Sequence, residues 1–230
     1  GITTSAAKKA AALKLLRRYE KAAGHPIYLI EDAAYRELRF AGEDTPSALS
    51  MDRLANRVVY TSTFSKPFAT GVRVGFGLLP EPLLTAALRV KGNHDFGTAN
   101  FLQQILSQAL TNGSYETQVA KLRRRYARKA KVMTQACAAH FPDAVQWENP
   151  TGGLYVWARL PAKVRTGLKS ALFKTALRHK VLYVPGDLCY CHDATCRKPN
   201  RELRLSYGNA SLKEIEEGIA RLGRALKKVL

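Results

Sequence analysis

The sequence predicts an α/β fold in two parts, and three patterns predict it. Helix-period and strand-like runs alternate through Lys66, the signature of helices layered on a sheet. A long helical pattern over about 115–140 follows. Beyond it, short strand-like runs alternate with two further helices, a second and smaller α/β domain. The parts are expected to span 1–120 and 121–230, with the long helix leading from one into the other.

The first helix is expected from Thr4 to Ala23, capped by Ser5 or Thr4 and ended by Gly24, with Leu13, Leu16 and Tyr19 sharing a buried face. Pro26–Ile30 reads as a strand that ends in Glu31-Asp32-Ala-Ala-Tyr35. Arg57–Thr61 is β-branched and apolar, a buried strand, and Phe76–Leu79 is a third. Pro80-Glu-Pro82 opens a helix to about Lys91, and Asn93 to Asn100 reads as a loop. Phe101 to Leu110 is helical, with Phe101, Ile105 and Leu106 as candidate core, until Asn112-Gly113 breaks it. In the second part Val145–Trp147 and Gly153–Arg159 are strand-like around a turn at Asn149–Gly153. Leu168 to Lys180 is a helix, Val181–Gly186 a strand and turn, and Arg201–Tyr207 a strand. Ser211 caps an amphipathic helix to Leu230.

A chain of 230 residues can bury a sizeable core, and its 46% hydrophobic content excludes wholesale disorder. No apolar run has the length of a membrane span, and Gly-Ile-Thr-Thr-Ser lacks the regions of a secretory signal. Four cysteines in such a chain make no disulfide framework, so a cytoplasmic location is expected. The net charge of +19 admits nucleic-acid binding, but no nucleic-acid motif accompanies it. Its densest run, Lys121 to Lys131, lies in a helical pattern and reads as a solvated face. Cys189, Cys191, His192 and Cys196 offer four soft ligands, but their spacing is irregular and the cluster reads as free thiols, with no metal expected. Cys137 reads as a small helix residue. His94 and Asp95 read as a solvated loop pair.

Thr61 to Gly75 carries the chemistry. Hydroxyls stand at Ser62, Thr63 and Ser65, a lysine at Lys66 and an arginine at Arg73, bracketed by Gly71 and Gly75. Hydroxyls, turn amides and a guanidinium fork suit a phosphate dianion. A lysine amine beside them can condense with a carbonyl ligand. A ligand with both groups is pyridoxal 5′-phosphate. Asp32 and Tyr35, placed just past a strand end, lie where open α/β sheets hold ligands. In order, Asp32-x-x-Tyr35, Thr63-Phe-Ser65-Lys66 and Arg73-Val-Gly75 resemble the class I and II aminotransferases, pyridoxal-phosphate enzymes of fold type I. Pro150-x-Gly152-Gly153 and Arg204-Leu-Ser-Tyr-Gly resemble two further motifs of that family, although Gly152-Gly153 reads equally well as a plain hairpin turn.

The resemblance implies a large domain with a mostly parallel sheet and a small C-terminal domain. It implies that Lys66 bonds the cofactor and moves the reaction's proton. Asp32 would pair with the pyridine nitrogen and Tyr35 with the ring oxygen. Thr63, Ser65 and Arg73 would hold the phosphate, and Arg204 the substrate's carboxylate. The substrates would be an L-amino acid and a 2-oxo acid, and the assembly a homodimer. Neither nucleic acid nor membrane is expected as a partner. A decarboxylase or lyase on the same scaffold, the aminotransferase-like domain of a transcription regulator, and an inert fragment are the other readings. In the family an Asn-Pro-x-Gly turn precedes the first helix. Gly1 is expected to lie inside that turn, with the family's preceding half absent and the chain alone not a competent transaminase.

Overall fold

The computed structural model describes residues 2–230 and is α/β throughout. The chain divides into two compact units, Thr3–Arg123 and Arg124–Leu230.

The first unit opens with helix α1 (Ala6–Ala23). The Ser5 side chain accepts from the Lys8 amide, and Gly24 ends the helix at φ 72°, a left-handed conformation that favours glycine. Leu16 is buried and Leu13 half-buried, but Tyr19 is 55% exposed, so the expected three-residue face loses Tyr19. Strand β1 (Leu29–Asp32) runs parallel to β2 (Val58–Thr63), with Asp32 opposite Thr61. Asp32 is therefore the last residue of its strand rather than a loop residue beyond it. The short helix α2 (Ala48–Met51) lies between these strands in sequence. Strand β3 (Gly75–Leu78) pairs antiparallel with β2 and completes the order β1-β2-β3. One of the two pairings in this sheet is thus parallel and one antiparallel.

Carboxylates fasten the helical layer to this sheet. Glu31 accepts from Lys9 Nζ and from the Ala48 amide, both at 2.8 Å. Buried Asp52 accepts from Arg17 at 2.8 Å and from the amides of Asn56 and Arg57. Carboxylates satisfied in this way, one buried and one partly buried, fix the approach into β1 and β2. Helix α3 (Leu83–Asp95) is a turn longer than expected, so Asn93, His94 and Asp95 are helical and the loop shrinks to 96–99. In α4 (Asn100–Thr111) Leu106 is buried, whereas Phe101 and Ile105 are exposed. Helix α5 (Ser114–His140) begins in this unit and ends in the next.

The second unit is built on a four-stranded antiparallel sheet of order β4-β5-β7-β6. Its strands are β4 (Gln146–Trp147), β5 (Tyr155–Arg159), β6 (Val184–Pro185) and β7 (Glu202–Ser206). Alternation decides the faces. Val156, Ala158, Leu203 and Leu205 are buried on one side, while Tyr155, Trp157 and Arg204 share the other. Helix α6 (Ala171–Arg178) is shorter than expected because Ser170 caps it, accepting from the Phe173 amide. In α7 (Leu212–Lys227) Ser211 and Glu214 form a reciprocal capping box, and Ile215, Ile219, Leu222 and Leu226 are buried.

Candidate active site

The Phe64–Val74 segment, which joins β2 to β3, has two sides. Val72 and Val74 form a buried cluster with Leu106 of α4, against which Phe64, Phe68 and Leu102 pack. The Tyr115 ring stands 5.8 Å from the rings of both Phe64 and Phe68. This apolar underside anchors the loop and leaves its polar residues interspersed between the anchors. The Phe64 amide donates to the Val74 carbonyl at 3.0 Å, and Thr63 Oγ1 donates to the same oxygen at 3.3 Å. The two ends of the loop are thereby tied together.

Thr63 Oγ1 also accepts from the Ser65 amide at 3.1 Å. Ser65 is buried, and its Oγ accepts from Arg73 Nη1 at 3.3 Å. Arg73 sits at φ 51°, in the left-handed region that non-glycine residues rarely adopt. Gly75 is required by close approach, since a Cβ there would stand 2.8 Å from the Ser62 carbonyl oxygen. Thr63, Ser65 and Arg73 are therefore brought together. Lys66 Nζ lies 5.9 Å from the centre of the Tyr35 ring, which joins the lysine to the segment after β1. Asp32 is exposed, and its carboxylate accepts from the Ala34 amide at 3.1 Å. Among the described residues no carboxylate forms an ion pair with Lys66 or Arg73. Lys66 and Arg73, without carboxylate partners, and the hydroxyls of Thr63 at the end of β2 and Ser65 on the loop fit a phosphate-bearing carbonyl compound.

Arg204 lies in the second unit. It faces Trp157 across the β5–β7 ladder, and its guanidinium carbon stands 4.5 Å from the centre of the Tyr155 ring. Its Nε is buried with no hydrogen-bond partner. The ring covers the planar group and leaves a fork of N–H donors suited to a carboxylate. Nothing in the sequence singles out Tyr155. Its role depends on the register between β5 and β7, which alternation within one strand does not reveal.

Cys189, Cys191 and Cys196 are exposed free thiols, and the Cys196 thiol donates to Asp193 Oδ2 at 3.3 Å. Among the described residues no three His, Cys, Asp or Glu side chains gather as metal ligands. Among them also no helix is long and apolar enough to cross a membrane.

A sequence profile for aminotransferase class I and II matches residues 5–222. The chain belongs to this family. It is 34% identical over 207 residues to a 2-aminoadipate transaminase of Thermus thermophilus, covering 89% of this chain and 50% of that protein. It is 31% identical over 229 residues to aromatic-amino-acid aminotransferase 1 of Thermococcus litoralis, covering 99% of this chain and 51% of the relative. Its fold matches the crystal structure of an α-aminoadipate aminotransferase of Thermus thermophilus complexed with N-(5′-phosphopyridoxyl)-L-leucine. That match has a TM-score of 0.80 and 32% identity, and covers the whole of this chain and 56% of the other. The chain thus spans about half the length of the aminotransferases it matches.

Proposed function

We propose that the protein of which this chain is part is a pyridoxal-phosphate-dependent aminotransferase. It moves an amino group between an L-amino acid and a 2-oxo acid. The observation that carries this reading is the Ser65, Lys66 and Arg73 cluster beside Tyr35, inside a span that matches the family. The first unit is read as part of the cofactor-binding domain and the second as the small domain. Three exposed free cysteines support a reducing, cytoplasmic setting. A homodimer is the assembly proposed.

When bound, the cofactor supplies a pyridine ring that accepts electron density from the substrate's Cα. Thr63, Ser65 and Arg73 hold its phosphate through hydroxyls and a guanidinium fork. Asp32 holds a proton on the ring nitrogen, and Tyr35 donates to the ring oxygen. Lys66 is the amine that would hold the cofactor covalently through its carbonyl group, with loss of water. The Lys66 amine would also be the group that removes and returns the reaction's proton, as general base and then general acid. Arg204 orients the substrate through its carboxylate.

The test is reduction of the complete protein, loaded with pyridoxal phosphate, by borohydride, followed by peptide mapping. The pyridoxyl mass is expected on Lys66. That mass on another lysine, with Lys66 unmodified, removes the assignment.

A further inference from the structure

The second unit carries a basic cleft apart from the residues assigned to transamination. It has a volume of about 450 Å³ and is lined by Arg124, Arg125, Arg128 and Lys129 of α5 together with Ser211 and Leu212. The three arginines are exposed, and among the described residues none of them forms an ion pair with a carboxylate. Lys129 is buried, at 4% exposure. Its ammonium donates to the Gly208 carbonyl at 2.9 Å, and its other two N–H groups have no partner among the described residues. Burial, and next the Arg125 charge, depress its basicity below the usual lysine range.

Glu214 is the acidic group facing this cluster, and it is already engaged. Its carboxylate accepts from the Ser211 amide at 2.7 Å, and its pKa is held down chiefly by that bond. The start of α7 is therefore closed by its own capping box, and the cleft's positive field comes from side chains. Arg124 and Arg128 are one helical turn apart, about 6 Å along the axis. That spacing admits two oxyanion groups side by side. Guanidinium forks match phosphate oxygens better than a single point charge does. Crowded like charges repel one another, and a multiply charged anion would relieve that repulsion.

We propose that this cleft binds a ligand carrying two or more phosphate groups, a role beyond amino-group transfer. Such phosphates can come from a compact molecule or from a nucleic-acid strand, and the experiment separates the two. The complete protein is loaded with pyridoxal phosphate, so that the cofactor site is filled. It is then titrated with pyrophosphate, with ATP and with a fluorescently labelled single-stranded RNA, at low and at physiological salt. Saturable binding that weakens with salt is expected for at least one probe. Binding of pyrophosphate and ATP alone identifies a compact ligand; tighter binding of RNA with a steeper salt dependence identifies a strand.

The Arg124→Glu, Arg125→Glu, Arg128→Glu triple variant should lose binding at least tenfold, with transaminase turnover unchanged. A control triple variant of equal charge change on exposed positions of α1, Lys8→Glu, Lys14→Glu, Arg18→Glu, should lose far less. A triple variant to Gln replaces the first if reversal prevents folding. No saturable binding by any probe, or equal losses in the cleft and control variants, overturns the proposal.

Discussion

At the residue scale the decisive groups differ in how visible they are in the sequence. Ser65, Lys66 and Arg73 lie on one loop, so their grouping is legible from spacing alone. Asp32 ends β1 opposite Thr61 of the parallel strand β2, and Lys66 Nζ lies 5.9 Å from the Tyr35 ring; neither pairing is visible from spacing alone. On the proposed reading, replacing Asp32 with Asn in the complete protein removes the charge that would hold the ring nitrogen's proton. Turnover should fall on the order of a thousandfold or more, the equivalent of several kcal/mol of barrier. Cofactor binding should be largely spared, because the phosphate and lysine contacts proposed above would do most of the holding. Absorbance titration with the cofactor and turnover with an amino acid and 2-oxoglutarate check the two halves separately. Near-full activity would remove the role given to Asp32. Tyr155 is not legible in the same way, because its partner Arg204 lies on a different strand and is fixed only by register.

At the element scale the helices are legible in place but less so in burial. Periodicity marks an apolar face without saying what covers it. Hence Leu106 is buried as expected, while Tyr19, Phe101 and Ile105 are exposed. The starts of α6 and α7 follow their serine caps, a signal carried in the local sequence. Two glycines within α7 make opposite predictions. A Cβ on Gly223 would stand 2.5 Å from the His140 carbonyl oxygen, a backbone atom. Gly223→Ala should therefore destabilise by about 1–3 kcal/mol. A Cβ on Gly218 meets nothing within 4 Å, so Gly218→Ala should stabilise by roughly 1 kcal/mol through helix propensity. Denaturant unfolding of both variants checks the pair, and equal effects would contradict the packing of α7 against the end of α5.

At the scale of the whole molecule, the pH response follows from burial. Tyr183 donates to the Thr166 carbonyl at 2.8 Å, and burial pushes its phenol from 10.0 up to about 12. Burial likewise pushes the Cys137 thiol from 9.0 up to about 12. Both groups keep their protons in the folded state at pH values where the unfolded chain has lost them. Their contribution to stability is therefore full below about pH 9 and declines as pH rises toward 12. Urea unfolding at pH 8 and pH 11 should show a lower midpoint at the higher pH. Cys137→Ala and Tyr183→Phe together should flatten the decline even if they lower stability at pH 8. An unchanged slope in that double variant would assign the decline to other groups.

The tie between Thr63, Phe64 and Val74 also bears on when the groups proposed to hold phosphate come together. Thr63 is opposite Gly75 in the β2–β3 ladder, so residues 64–74 form a single closed loop. Closing a loop so short costs little chain entropy compared with joining distant segments. Ser65, Lys66 and Arg73 can thus gather early in folding, before partners from remote parts of the chain arrive. The converse is that they come apart together. If β3 frays from β2, the Phe64 amide loses its acceptor and all three groups lose their frame in one opening event.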